Sequence, residues 1–355
     1  MMKHYDILRR VRVVLLSLPL LFASAGCSDT VGDVVPESVM VNLQINVAAS
    51  DIASPRTRAG YEEAQSDDER MRTLRIVVVR ADGTIEHNRF LRLTSAVERY
   101  GDETFRVYGR EKKRIYLFAN ELTSRVGVDG VSHPLIDFDL GSLAVGTEFP
   151  SERVEGLTLS LQSASEQIVG ALPMSECHTV EVPDSDCSCD LTITRAAVKF
   201  SFLITNRSGR EVSLTGLSID KMSRAEYLLP HNVERDENGD IVDYDVPAAG
   251  VNNGYYTFSL GGGLPVKLAR NVQKRLAPIY LLEGRYVDTS GDKRNYSMKI
   301  LVDGAECGDY FADLSTLPRN THVVVRIGIS DTDVEWKVDL LPYGEVKLDP
   351  SFGLN

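Results

Sequence analysis

The sequence predicts an all-β protein, and three observations lead to this prediction. Residues 39–47 alternate apolar and polar side chains, which is the pattern of a strand with one buried face. Residues 74–80 form a run rich in β-branched side chains, followed by Asp82-Gly83, a dipeptide typical of hairpin turns. Helical signals are few: residues 61–71 are polar and acidic, and they form either a short surface helix or a loop.

Further segments with strand character follow along the chain in two sets. The first set is residues 104–108, 114–118 and 157–161, and the second is residues 191–204, 212–219, 255–260, 279–287, 296–302, 323–329, 334–340 and 345–348. Strands at this spacing, with turns between them, are typical of β-sandwiches and barrels. A chain of 355 residues suits two domains of roughly 100–200 residues each. The polar residues 183–190 are the best linker, so we predict domains over residues 37–185 and 190–355.

Residues 1–26 have the features of a secretory signal peptide. Basic side chains precede the apolar run 13–22, which is shorter than the roughly 20 residues that a membrane-spanning helix needs. Cys27 directly follows an Ala-Gly pair and so resembles the lipobox of bacterial lipoproteins, although Ser24 stands where a lipobox usually has leucine. We expect Cys27 to be acylated as the new N-terminus and residues 27–36 to form a lipidated tether. The alternative is an ordinary signal peptide with an incidental cysteine.

Composition and charge narrow the classes of function. With 43% hydrophobic and 25% charged residues, the chain has the composition of a globular protein. Its net charge of −12 argues against nucleic acid and anionic lipid surfaces as partners, since both attract basic proteins. The sequence has no G-x-S-x-G, H-E-x-x-H or P-loop motif. We therefore expect no enzymatic activity, no metal and no other cofactor.

Four cysteines remain after Cys27: Cys177, Cys187, Cys189 and Cys307. Export permits disulfides, and Cys177 with Cys187 or Cys189 would close a short loop. Free thiols are an equally good interpretation. The spacing fits no standard zinc motif.

Four segments, taken in their order and spacing, carry the signature of a known family. They are residues 113–120 (KRIYLFAN), 172–175 (LPMS), 194–200 (TRAAVKF) and 318–322 (PRNTH). Together with the lipobox, they make the chain from Cys27 to its C-terminus resemble the fimbrillin superfamily of lipoprotein pilins, which build type V pili. Taken one at a time, the segments are explained by strands, a strand end and a turn.

The resemblance implies two transthyretin-like β-sandwich domains and a structural role in a cell-surface fimbrium that serves adhesion. In this family the lipidated precursor reaches the outer membrane, and an Arg-specific protease removes the tether together with the first strand. C-terminal strands of another subunit then fill the vacated groove by β-augmentation. The implied partners are other pilin subunits, in a homo- or hetero-polymer, and the outer membrane through the lipid anchor.

The sequence has candidates for each part of that mechanism. The cleavage site would be Arg58 or Arg56, within the polar residues 54–60. The strand that is removed would bury Val39, Val41, Leu43, Ile45 and Val47. The donor strand would bury Val334, Trp336, Val338 and Leu340, an apolar face without an obvious partner in its own domain if Ile329 closes the second sandwich.

Two alternatives stay open at this point. Anchor subunits of the same superfamily keep their lipid and their first strand, and they hold the pilus at the membrane. A different class is a surface lipoprotein that binds glycans or proteins through the loops of its β-sandwiches. Clustered exposed aromatic side chains on one face would favour that second class.

Overall fold

The structure is a computed structural model, and it describes residues 39–50, 66–235, 241–247, 255–287, 290, 292, 294–311 and 314–341. The predicted signal peptide, Cys27 and the candidate cleavage sites Arg56 and Arg58 lie outside these ranges, as does the predicted last strand, residues 345–348. The described residues belong to one compact unit. Within these ranges, no helix has the length and the apolar character that crossing a membrane requires.

Regular structure in the first half of the described chain is almost entirely β. In chain order the strands are β1 (Met40–Ala49), β2 (Met71–Val79), β3 (Ile85–Val97), β4 (Arg99–Tyr108), β5 (Glu111–Ala119), β6 (Ser124–Val126), β7 (Ser132–Pro134), β8 (Thr158–Ser160), β9 (Gln167–Val169), β10 (Met174–Val182) and β11 (Cys187–Arg195). One short helix, α1 (Ser151–Glu155), and two 3-10 turns, Asp67–Glu69 and Leu140–Ser142, complete this half.

The second half continues with strands alone. They are β12 (Val198–Asn206), β13 (Val212–Ser223), β14 (Ala225–Tyr227), β15 (Glu234–Arg235), β16 (Ile241–Asp243), β17 (Tyr255–Ser259), β18 (Val266–Leu268), β19 (Gln273–Arg275), β20 (Ile279–Leu281), β21 (Gly284–Arg285), β22 (Ser297–Val302), β23 (Ala305–Tyr310), β24 (Thr316–Leu317), β25 (His322–Ile329) and β26 (Val334–Leu341). The prediction of an all-β fold is confirmed.

The largest sheet has the strand order β3-β2-β5-β10-β11-β1-β4. Strand β11 joins its two parts, because residues 187–193 pair in parallel with β1 and the last two residues pair with β10. Side chains from both parts share one hydrophobic core, to which β1 contributes Leu43, β2 contributes Ile76 and β5 contributes Leu117. The two parts of this sheet therefore pack on each other as the layers of a sandwich.

Strands β2 and β5 are buried on both faces. Ile76 and Leu117 face the core shared with β1, whereas their neighbours Val77 and Phe118 belong to a second core. A strand that is covered on both faces carries a continuous apolar run instead of an alternating one. This double burial explains the β-branched run of β2, and it joins the two halves of the chain through a core that reaches Ile329.

Two five-stranded sheets supply the rest of the second core. One has the order β19-β12-β25-β26 with β20 also paired to β12, and the other has the order β17-β13-β22-β23 with β18 also paired to β13. Phe200 and Phe202 of β12 and Ile300 of β22 are completely buried in this core. The division into domains at residues 37–185 and 190–355 stays a prediction. Strand β11 begins at Cys187, and it belongs to the first sheet.

Three segments differ from the sequence prediction. The predicted strand 191–204 is two strands, since β11 and β12 belong to different sheets and the chain turns between them at Ala196 and Ala197. The predicted strand 279–287 is likewise two, because β20 pairs with β12 and β21 pairs with β24. In the described part of residues 61–71, a single 3-10 turn precedes β2.

Candidate functional site

Strand β1 lies inside the first sheet, between β11 and β4. Its inward side chains are those predicted for the removable strand: Val41, Leu43, Ile45 and Val47 are at most 3% exposed, and Val39 packs half-buried against the same core. Full burial of one such side chain contributes about 1.5–3 kcal/mol. We call the space that β1 fills between β11 and β4 the first-strand groove.

The outward face of β1 is polar, and it contacts acidic side chains of the neighbouring strand. Asn42 donates from its backbone N–H and from its side-chain amide to Asp186, at 2.8 and 2.9 Å. Four residues further along the same face, the Asn46 amide donates to Asp190 at 2.8 Å. The backbone N–H of Asn42, followed by its amide, holds the pKa of Asp186 below its usual value. Two carboxylates thus line the outer rim of the first-strand groove.

The end of β1 is held by two side chains of the family-like segments. The Ser50 carbonyl accepts from the Asn320 amide at 2.8 Å and from the Arg195 guanidinium at 3.2 Å. Arg195 also donates to the Asn320 side-chain oxygen at 3.0 Å. Ser50 is the last described residue before the segment that contains Arg56 and Arg58, so these contacts secure β1 next to its predicted cleavage site.

A buried ion pair lies behind these contacts. Glu69 and Lys199 are 0% and 1% exposed, and the Lys199 ammonium donates to the Glu69 carboxylate at 2.6 Å. The Tyr280 hydroxyl donates to the same carboxylate oxygen at 2.7 Å, and Arg195 donates to the Glu69 carbonyl at 2.7 Å. Burial lowers the pKa of Lys199, and the opposing charge of Glu69 counters that effect. The pair connects the turn before β2 with β12.

A second buried pair connects the segment 318–322 with the segment 172–175. Arg319, 3% exposed, donates through its backbone N–H and its Nε to the Glu283 carboxylate at 2.8 and 2.7 Å. Its guanidinium also donates to the Leu228 carbonyl at 2.9 Å and contacts the Ser175 hydroxyl at 3.3 Å. The buried guanidinium thus ties β10 to the loop before β25.

The remaining family-like segment, residues 113–120, joins the same region through Asn120. Its φ of 55° is a left-handed conformation that asparagine tolerates well. The amide donates to the Leu172 carbonyl at 2.7 Å, and its oxygen accepts from the N–H groups of Arg72 and Thr73. The four segments are therefore connected by polar contacts: Asn120 bonds to the Leu172 carbonyl within the first half, and the other segments are joined across the two halves.

Strand β26, the predicted donor, is an edge strand that pairs along its whole length with β25. Val334, Trp336 and Val338 are half-buried and pack against the second core, whereas Leu340 is 55% exposed. The expectation that its apolar face has no partner in its own domain is wrong, because the hairpin after Ile329 returns the strand to its own sheet. Its role as a donor stays a prediction.

The outward face of β26 is matched by basic groups of its own domain. Glu335 accepts from Arg207 at 2.6 Å, and Asp339 forms an ion pair with Arg326. Both arginines lie in the same sheet or directly after one of its strands, β12. As an edge strand within its own subunit, β26 is therefore complemented in both packing and charge.

The cysteines 177, 187, 189 and 307 are free thiols. Cys187 and Cys189 lie half-buried against the core that β1 completes, and burial raises the pKa of Cys189 to about 11. Among the described residues, no group of three or more histidine, cysteine or acidic side chains is placed to hold a metal.

Acidification is expected to weaken the fold through His322, the first residue of β25. The ring is 0% exposed, and burial, with the charges of Lys199 and Arg275, lowers its pKa to about 3. Between about pH 6.5 and pH 3 the unfolded chain binds a proton that the folded chain excludes, so stability falls by about 1.4 kcal/mol per pH unit. Urea unfolding between pH 7 and pH 5 measures this slope. His322→Gln should lower this slope by the contribution of one proton, about 1.4 kcal/mol per pH unit. An unchanged slope would contradict the role of His322 in the loss of stability at low pH.

No family model matches the sequence, and no curated protein matches it either. Two solved structures align over nearly their whole length. A candidate cell adhesion protein from Parabacteroides distasonis has a TM-score of 0.52 and 14% identity, covering 86% of this chain and 98% of that one. The tip fimbrial protein Mfa3 from Porphyromonas gingivalis, with a C-terminal truncation, has a TM-score of 0.50 and 13% identity, covering 85% and 99%.

At these identities the likeness concerns the fold. The two alignments cover 86% and 85% of this chain. The resemblance predicted from those segments is thereby confirmed at the level of fold. The chain has the fold of fimbrial and cell adhesion proteins of the kind that Mfa3 represents.

Proposed function

We propose that the chain is a structural subunit of a cell-surface fimbrium that serves adhesion, made as an outer-membrane lipoprotein precursor that is acylated at Cys27. One observation carries this proposal: β1 lies between two strands of a sheet, β11 and β4, yet it is joined to the next strand along the chain only through residues 50–70, which contain both candidate cleavage sites. The shared fold with Mfa3, a tip fimbrial protein, supports the same class of function.

Cleavage after Arg56 or Arg58 would separate β1 from the body of the protein. Its departure opens the first-strand groove, whose walls are the unpaired edges of β11 and β4 and whose floor is the apolar core around Ile76 and Leu117. An open groove of this kind accepts an extended strand, because backbone hydrogen bonds supply affinity and buried alternate side chains set the register. The C-terminal strand of another subunit fills it.

Purified fimbriae provide the test of maturation. N-terminal sequencing of the assembled protein should give a start at Ala59 or Thr57, and the double variant Arg56→Ala with Arg58→Ala should block assembly. Arg110→Ala is a matched control, because this exposed arginine lies in a turn of the described fold. Normal assembly of the double variant, with an unchanged N-terminus, would contradict cleavage at this site.

An anchor subunit is the second candidate, and a specific observation favours it. The Ser50 carbonyl is held by Arg195 and Asn320, which retains β1 at its end. A subunit that keeps its first strand and its lipid would use such contacts permanently. Assembled protein that begins at an acylated Cys27 would identify the chain as the anchor.

A further inference from the structure

We infer that the first-strand groove selects its donor from a different kind of subunit, whose strand carries amide or basic side chains at two outward positions. By the same contacts it disfavours the chain's own strand β26. The inference rests on the proposed function, since it assumes that β1 leaves the groove.

The rim of the groove sets the requirement. In β1, Asn42 and Asn46 face outward and donate to two exposed carboxylates, Asp186 directly before β11 and Asp190 on β11. Amide and basic side chains donate hydrogen bonds to a carboxylate, whereas a carboxylate in their place meets a like charge. Any replacement strand therefore has two outward positions, four residues apart, at which acidic side chains are unfavourable.

Strand β26 has acidic side chains at that same spacing. When its four apolar residues, beginning at Val334 and ending at Leu340, occupy the four fully buried positions of β1, its outward residues are Glu335, Lys337 and Asp339. In the direction of β1, Glu335 falls opposite Asp186 and Asp339 opposite Asp190. In the reverse direction the two exchange places. Both orientations put a carboxylate against each rim carboxylate.

Strand β4 brings an arginine to each end of the rim: Arg106 is the register partner of Asn42, and Arg99 is the partner of Ala48, two residues after Asn46. The charge of Arg106 acts on Asp186, so it offsets part of the repulsion at that end. At the other end, β4 approaches Asn46 with Gly101: a Cβ built there would lie 3.2 Å from the Asn46 side-chain oxygen. Within its own domain, in contrast, β26 has a basic partner for each of its two carboxylates.

The interior of the groove adds a steric mismatch. The indole of Trp336 would take the place of Leu43 in one direction and of Ile45 in the other, and both are completely buried. Overfilling a packed core is destabilising. The charge and the volume of β26 therefore suit its own domain better than the groove.

Peptide exchange into the full-length protein tests the inference. For this experiment, the recognition site of a sequence-specific protease is introduced within residues 54–60. Cleavage there breaks the chain after β1 but leaves β1 bound in the groove. Three labelled peptides compete for the groove: residues 40–49, residues 334–341, and residues 334–341 with Glu335→Asn and Asp339→Asn. Fluorescence anisotropy should show that the amide peptide binds about tenfold more tightly than the unchanged one at low salt. The ratio should shrink at about 1 M salt, where charges are screened within about 3 Å.

Two controls separate charge from packing. A peptide with Lys337→Gln, which faces the neutral Ser188 in the same register, should bind no better than the unchanged peptide. Asp186→Asn with Asp190→Asn in the protein should raise the affinity for the unchanged peptide and remove the advantage of the amide peptide. Equal binding of the two 334–341 peptides to the unaltered groove would overturn the inference and make a second copy of this chain an acceptable donor. Failure of the 40–49 peptide itself to exchange would instead refute the release of β1, on which both this inference and assembly by strand exchange rest, and would favour the anchor subunit.

Discussion

Replacing Leu43 and Ile45 with alanine is expected to lower the free energy of unfolding of the precursor by about 4–8 kcal/mol. Both side chains are 0% exposed in the core between the two layers of the first sheet, so each truncation loses buried apolar area and leaves a cavity. Whole domains have a stability of about 5–15 kcal/mol, so the effect is large. Denaturant unfolding of the full-length protein, followed by circular dichroism, measures it.

The same variant distinguishes the precursor from the assembled subunit. If β1 is removed on maturation, the fimbriae contain neither substitution, and their resistance to denaturant should equal that of the unaltered fimbriae. Ile76→Ala is the matched control, because it lies in the same core on β2, which the mature subunit keeps. It should weaken precursor and fimbriae alike. Fimbriae weakened by the substitutions in β1 would mean that the strand stays in the subunit.

Glu69→Gln is expected to lower the free energy of unfolding by about 3–5 kcal/mol, because it leaves the Lys199 ammonium buried without its counter-charge. The Glu69 carboxylate also accepts from Tyr280, so the substitution weakens two hydrogen bonds at the junction of the two halves. Thermal or urea unfolding of the purified chain gives the magnitude. Asp68→Asn, one residue earlier and with a half-exposed side chain that forms a surface ion pair with Arg72, should change stability by less than about 0.5 kcal/mol.

A double variant tests whether the cost comes from the unpaired charge. Lys199→Met removes the ammonium, so its combination with Glu69→Gln should be more stable than Glu69→Gln alone. If the losses in the free energy of unfolding were additive, the two side chains would act independently. The ion pair would then not stabilise the junction of the two halves. The comparison is a double-mutant cycle on purified proteins.

The strands with the clearest residue patterns were predictable from the sequence. Alternation identified β1 and β26, and the apolar run identified β2, because burial on one or both faces leaves a local trace in the side-chain order. Strand β3 leaves a weak trace, since its side chains are largely half-exposed and mix Arg, His and Asn with apolar residues. Strand β10 alternates acidic and polar residues with small apolar ones, and it was missed for the same reason.

The contacts that join the two halves could not be derived from local pattern. Glu69 meets Lys199 across 130 positions of sequence, and Arg319 meets Ser175 across 144. Neither carboxylate partner, Glu69 nor Glu283, stands in a motif that would predict burial. The segments containing Lys199 and Arg319 belong to the family-like motifs, but the motifs do not predict that these two charged side chains are buried. The pairing of β26 with β25 could not be predicted either, because the side-chain pattern of a single strand does not say which strand is its neighbour.

The parallel pairing of β1 with β11 also has a consequence for the order in which the chain is made. Strand β1 is the first strand in the described part of the chain, but its neighbour on one side follows 144 residues later, as the bonds from Asn42 to Asp186 and from Ser50 to Thr194 show. Closing so long a loop is entropically costly and slows folding. The N-terminal core therefore stays incomplete until more than half of the polypeptide has emerged. Until β11 has emerged, the nascent chain keeps β1 unpaired on that side.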